Sequence, residues 1–172
     1  WPTKLTNIWL KAKTAKYRNP RRAIFIMEEI YKTIPHREPF LFIDRIIEVT
    51  ETSAVAEREI REEEPHFAGH YPGNPLMPGV LLCEAVFQTA AVYMVRRFQS
   101  EGIDGASKTP ILARISQAKF KQMVRPGDVI RIEATYKEAM GPFHFMRGKV
   151  TVNGKVSVTV EFGLAMIDGD GK

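Results

Sequence analysis

Residues 80–98 read Val80-Leu-Leu-Cys-Glu-Ala-Val-Phe-Gln-Thr-Ala-Ala-Val-Tyr-Met-Val-Arg-Arg-Phe98. The run is too long for a strand and rich in Ala and Leu, which predicts a helix. Pro78 suits the first helical position, where a missing N–H costs nothing. Apolar residues occur nearly all round the helix, so it must be buried on most sides rather than along one stripe. A membrane span competes with this reading. The run falls short of the roughly 20 apolar residues a span needs and carries Glu84 and Gln88, which argues against it.

The flanking pattern tells what surrounds the helix. Downstream, Ile111–Met123, Asp128–Lys137, Phe143–Val152 and Lys155–Met166 show period-two alternation and read as strands. Asn153-Gly154 is a two-residue hairpin signal, and Pro126-Gly127-Asp128 marks another turn. Upstream, Leu41–Val49 and Ser53–Ile60 read as two further strands, preceded by an extended, proline-bounded loop over 34–40. Between Glu62 and Gly79, Pro65, Pro72, Pro75 and Pro78 with Gly69, Gly73 and Gly79 exclude regular structure. A helix apolar on every side needs a curved sheet to wrap it. The predicted class is α+β, with a hot-dog architecture: an antiparallel curved sheet around one long central helix.

The chain has 172 residues, 44% of them hydrophobic, which suits one domain with a sizeable core. A single cysteine, Cys83, excludes an internal disulfide framework and suits a reducing compartment; a cytoplasmic location is expected. The basic N-terminus lacks a continuous apolar stretch, so no secretory signal is expected. The net charge of +5 is unevenly placed. Lys4, Lys11, Lys13, Lys16, Arg18, Arg21 and Arg22 all precede the first acidic residue, Glu28. Residues 1–33 therefore read as a basic N-terminal extension and 34–172 as the folded domain. Leu5, Ile8, Trp9 and Ala12 predict an amphipathic helix ended by Pro20, with a second short helix over 23–32. Such an arm suits an acidic partner, an anionic membrane or nucleic acid, and equally a merely solvated helix.

Three positions offer chemistry. Glu84 lies within the apolar helix, where an unpaired carboxylate is costly; burial should raise its pKa and make it a proton donor. His70 lies in Gly69-His70-Tyr71-Pro72-Gly73-Asn74-Pro75, a loop stiffened by prolines and opened by glycines, and a neutral imidazole there suits a general base. Pro78-Gly79 begins the helix, whose first amides have no internal partners and can bind a carbonyl oxygen. Cys83 adjoins Glu84 but faces about 100° away, so a small buried thiol is the better reading. His66 and His70 stand four apart, but Gly69 and the prolines argue against a helical metal site, and no metal is expected. His36 and His144 read as structural or exposed. No P-loop or dinucleotide fingerprint is present.

The stretch Gly69-His70-Tyr71-Pro72-Gly73-Asn74-Pro75-Leu76-Met77-Pro78-Gly79-Val80-Leu81-Leu82-Cys83-Glu84-Ala85 resembles the FabZ-type (3R)-hydroxyacyl-acyl-carrier-protein dehydratases. Pro35 to Arg45, Lys119-Phe120-Lys121, Pro126-Gly127-Asp128 and the Asn153-Gly154 hairpin extend the resemblance to about residues 34–168. It implies a hot-dog dehydratase domain with His70 and Glu84 as a catalytic pair contributed by two protomers. It also implies a homodimer, assembled as a trimer of dimers, and Gly79 as the backbone amide polarising the thioester carbonyl. Substrates would arrive on acyl carrier protein through a phosphopantetheine arm, or as coenzyme A thioesters, in fatty acid or related lipid biosynthesis. No cofactor, nucleic acid or transmembrane segment is expected. Phe67, Tyr71, Met77, Val80 and Phe87 are candidates for an acyl tunnel, and Arg114, Lys119, Lys121 and Arg125 for carrier docking. Glu38 departs from the family's usual aromatic residue, Tyr71 from its frequent Phe, and Phe87 from a typically small residue. The basic extension lies outside the common core. A hot-dog thioesterase and a non-catalytic acyl-carrier-binding protein are the alternative readings.

Overall fold

The computed structural model describes residues 20–103 and 108–168. The helix expected over residues 5–12 lies outside them. Pro20 is the first residue of helix α1 (Pro20–Thr33). Strands β1 (Arg45–Val49) and β2 (Ser53–Glu59) follow, then helix α2 (Gly79–Ser100) and strands β3 (Lys108–Phe120), β4 (Val129–Met140), β5 (Phe143–Val152) and β6 (Lys155–Asp168). Helix α2 starts one residue after Pro78, which is its N-cap rather than its first turn. The proline-rich stretch is irregular except for one short 3-10 turn, Pro65–Ala68, which Pro65 can open because it needs no N–H there. β1 starts at Arg45, later than its apolar pattern suggests; Leu41, Phe42 and Ile43 are buried without a strand partner.

All neighbouring strands are antiparallel, in the order β1-β2-β4-β5-β6-β3. Helix α2 lies against all six strands, which is why its apolar side chains need no polar face. Val86, Ala90 and Met94 are fully buried, as are Ile130, Ile132, Val150 and Val158 from the sheet. Helix and sheet are in close contact at Gly148, where a Cβ would fall 2.1 Å from Val86 Cγ1 and 3.1 Å from the Glu133 carbonyl oxygen. Helix α1 adds Met27 and Ile30 to the same core, and its Glu29 pairs with Arg96 of α2 at 2.7 Å.

Among the described residues, β3 is an edge strand paired only with β6. Ile111, Leu112, Ile115 and Phe120 are exposed along it, and two register shifts, at Leu112/Arg114 and Ile115/Gln117, interrupt its ladder. The opposite edge, β1, is a short five-residue strand.

Replacing Gly148 with Ala is expected to destabilise the protein by about 1–3 kcal/mol, the usual consequence of overpacking a full core. Thermal unfolding would show a Tm several degrees lower. An unchanged Tm would mean that helix and sheet are free to separate at this point.

Candidate active site

His70 leaves the 3-10 turn through its own amide, which donates to the His66 carbonyl at 2.9 Å. Its ring Nδ1 lies 2.7 Å from the Leu76 carbonyl oxygen. A carbonyl only accepts, so Nδ1 carries the hydrogen and Nε2 of the neutral ring keeps a free lone pair. The following residue, Tyr71, takes a left-handed backbone (φ 57°) uncommon for a bulky side chain, and its ring meets the His70 imidazole edge-on at 4.7 Å. Arg125 secures the far side of the loop by donating to Asn74 Oδ1 at 2.7 Å and to the Pro75 carbonyl at 3.2 Å.

His70, Tyr71, Met77, Gly79, Val80 and Phe120 line a mostly apolar cavity of about 510 Å³, bounded also by Lys121. The start of α2 thus faces the space beside the imidazole, with unpaired N-terminal amides available to an oxygen. Phe120 packs so close that a Cβ on Gly79 would meet its ring at 2.7 Å. Of the tunnel candidates, Tyr71, Met77 and Val80 lie on this wall; Phe67 and Phe87 are in the core, with Phe87 packed against Phe162 at 4.8 Å.

Glu84 is not among the residues lining that cavity. It lies one and a half turns into α2, 19% exposed at the side chain, and burial raises its pKa against the lowering effect of a hydrogen bond from Gln88. Gln88 is fully buried, and its amide has three partners. Its Nε2 donates to Glu84 Oε1 (2.9 Å) and to the Phe40 carbonyl (3.0 Å), and its Oε1 accepts from the Phe42 amide (2.7 Å). His36 Nε2 stands 3.7 Å from Glu84 Oε1. Burial, then Arg37, lowers the His36 pKa, so a neutral imidazole neighbours a carboxyl that favours its proton. Sequence reasoning missed both residues. The i, i+4 spacing of Glu84 and Gln88 is a signal for one of them; His36 reaches Glu84 only through the tertiary fold.

Burial pushes the Cys83 thiol up to about 11, so it is no thiolate nucleophile. His144 is partly buried between Phe98 and Tyr136, away from the cavity. Arg114, Lys119 and Lys121 are exposed on or just after β3, whereas Arg125 is engaged with the His70 loop.

One chain therefore holds an imidazole and a helix N-terminus in one cavity and a half-buried carboxyl with a raised pKa elsewhere. The model for the FabA-like domain matches residues 34–161. The chain is 37% identical to the 3-hydroxyacyl-[acyl-carrier-protein] dehydratase FabZ of Clostridium perfringens, over 81% of this chain and 97% of that one. It is 42% identical to the enzyme of that name from Ligilactobacillus salivarius, over 77% and 92%. Among solved structures, it is similar to the dehydratase heterocomplex ApeI:P from Xenorhabdus doucetiae (TM-score 0.68, 15% identity, 81% of this chain and 91% of that one). It is also similar to an uncharacterized protein from Pyrococcus horikoshii (TM-score 0.59, 17% identity, 77% and 88%). At such identities these two show a shared fold.

The raised pKa of Glu84 has a consequence for stability. A group that binds its proton more tightly when folded stabilises the protein at low pH, and that contribution is lost as pH rises through the folded-state pKa. Glu84→Gln removes the titration while keeping the side-chain volume. Its Tm is expected to equal that of the parent below about pH 4, the ordinary carboxyl range, and to exceed it at neutral pH. A Tm difference that does not widen with pH would mean Glu84 is well solvated.

Proposed function

The chain belongs to the FabA-like family, and from that membership we propose that it removes water from 3-hydroxyacyl thioesters carried on acyl carrier protein, giving trans-2-enoyl thioesters in fatty acid synthesis. The observation that carries this reading is the His70 ring, held through Nδ1 by the Leu76 carbonyl beside the start of α2 in an apolar cavity.

The thioester oxygen accepts from the Gly79 amide, and the positive end of α2 favours the negative charge that develops there. This acidifies C2. His70 Nε2 takes the C2 proton, and the electron pair forms the C2=C3 double bond as the C3–O bond breaks. Glu84 gives its proton to the departing hydroxyl, which leaves as water. The ionised Glu84 recovers a proton as the imidazolium loses one. Burial suits the carboxyl to this role because it raises the acid's hold on its proton.

The base and the acid of one site come from two copies of the chain in a homodimer. The exposed apolar edge of β3 supports this, because such an edge favours pairing with another strand. Strand β3 ends at the cavity, since Phe120 and Lys121 line it, so a partner at this edge stands beside His70. Three such dimers form the assembly. Lys121 at the cavity, with Lys119 and Arg114 further along β3, offers positive charge to an acidic carrier surface, and the phosphopantetheine arm enters the cavity.

Crotonyl and 3-hydroxyacyl thioesters should interconvert in the presence of the protein without release of free thiol; thiol release alone would point to a thioesterase. His70→Ala and Glu84→Gln should each lower kcat by about 10²–10⁴-fold. Unfolding and refolding the two variants together should restore activity, since a mixed dimer holds one intact pair. Random pairing gives about a quarter of the parental value in a two-fold symmetric dimer. No recovery would place both groups of a site on one chain.

A further inference from the structure

Arg58 occupies an inward position near the end of β2. Ala54, Ala56 and Arg58 share the face turned toward the core, and Arg58 is only 4% exposed. A guanidinium removed from water needs firm partners. Nη1 donates to the Leu41 carbonyl and Nη2 to the Glu64 carboxylate, while the Phe42 ring lies under the guanidinium at 4.7 Å.

These partners lie in the two segments that support the chemistry. Leu41 sits between Phe40 and Phe42, the two residues whose backbone Gln88 grips while it holds Glu84. Glu64 stands at the N-cap position of the turn that delivers His70, with its carboxylate directed to Arg58 and the Arg61 amide rather than to the turn. Its carbonyl accepts from the Phe67 amide at 3.0 Å, its Oε1 accepts from the Arg61 amide at 2.9 Å, and the His66 carbonyl of the same turn accepts from the His70 amide. The far end of the stretch is held separately, by Arg125 on Asn74 and Pro75 and by the Met77 amide on the Val124 carbonyl.

We propose that Arg58 is a positioning residue for the dehydration, fixing the turn that carries His70 against the segment that supports Glu84. The inference rests on His70 and Glu84 being the base and the acid. Arg58 itself touches no substrate. A stabilising role alone is a poor account of it, because a buried ion pair can often be replaced by apolar residues without loss of stability. What apolar residues cannot reproduce is a rigid planar fork with two fixed directions. Lysine cannot reproduce it either, being a point charge on a flexible stem.

The test uses two variants of the full chain, Arg58→Lys and the double replacement Arg58→Met with Glu64→Met, the latter leaving no buried charge unpaired. Thermal unfolding identifies the folded variants. Imidazole ¹⁵N spectra then report the His70 tautomer, with only four histidines to assign. The parent should show a single Nδ1–H form, and each variant a mixture of tautomers. In turnover, kcat should fall by about 10- to 100-fold with little change in KM, the scale expected of a catalytic group displaced by about 1 Å. An unchanged His70 tautomer in a folded variant would overturn the proposal. Loss of the parental dehydratase activity altogether is a separate outcome: it would sink the functional reading, while the tautomer comparison still decides whether Arg58 sets the imidazole.

Discussion

The buried amide of Gln88 is the interaction on which much of this structure turns. A helix enclosed by a sheet leaves no room for water, so each polar group beside it must find a protein partner. The Phe40–Phe42 segment presents a carbonyl and an amide there without a neighbouring strand. Gln88 meets both and still has one N–H left for Glu84. An aliphatic residue at this position would leave those groups unmet, at about 1–3 kcal/mol for each buried group. A carboxylate would supply acceptors only. The amide alone carries the right mixture of donors and acceptor.

The same enclosure sets the chemistry. Desolvation that costs stability when Glu84 ionises is also what raises its pKa. His36 beside it has a lowered pKa, so it adds no positive charge that would favour the carboxylate. The base is treated differently. His70 stands in a loop at a cavity wall, oriented by a carbonyl rather than a carboxylate, so its ring is aimed without a fixed negative charge behind it. Two titratable groups thus receive contrasting surroundings from elements adjacent in sequence.

Much of this was legible in the sequence. The apolar run at 80–98 marked α2, and its all-round pattern required a wrapping sheet. The hairpin at Asn153-Gly154 fell where expected, with Asn153 and Gly154 both at positive φ. Glu84 stood out because a carboxylate in such a run must be explained. Long-range pairings were not legible. Leu41–Ile43 reads as strand because it is apolar, but the Phe42 amide is met by the Gln88 side chain, 46 residues away. Arg58 carries a local signal, a charge in an inward slot of β2, yet its tie to Glu64 depends on where an irregular loop returns. His36 resembles any polar loop residue until the fold brings it to Glu84. Phe87, a departure within the helix, packs against Phe162 of β6, a contact no helical pattern announces.

The two register shifts in β3 carry a consequence of their own. An exposed strand with apolar side chains is a template on which further chains can stack without limit, the route to fibrils. Each irregularity adds local twist and breaks the even spacing of free amides and carbonyls. An incoming chain must match both kinks at once, which a foreign or slipped strand does not do. The kinks therefore restrict the alignments in which another strand can pair along this edge, which counts against open-ended stacking.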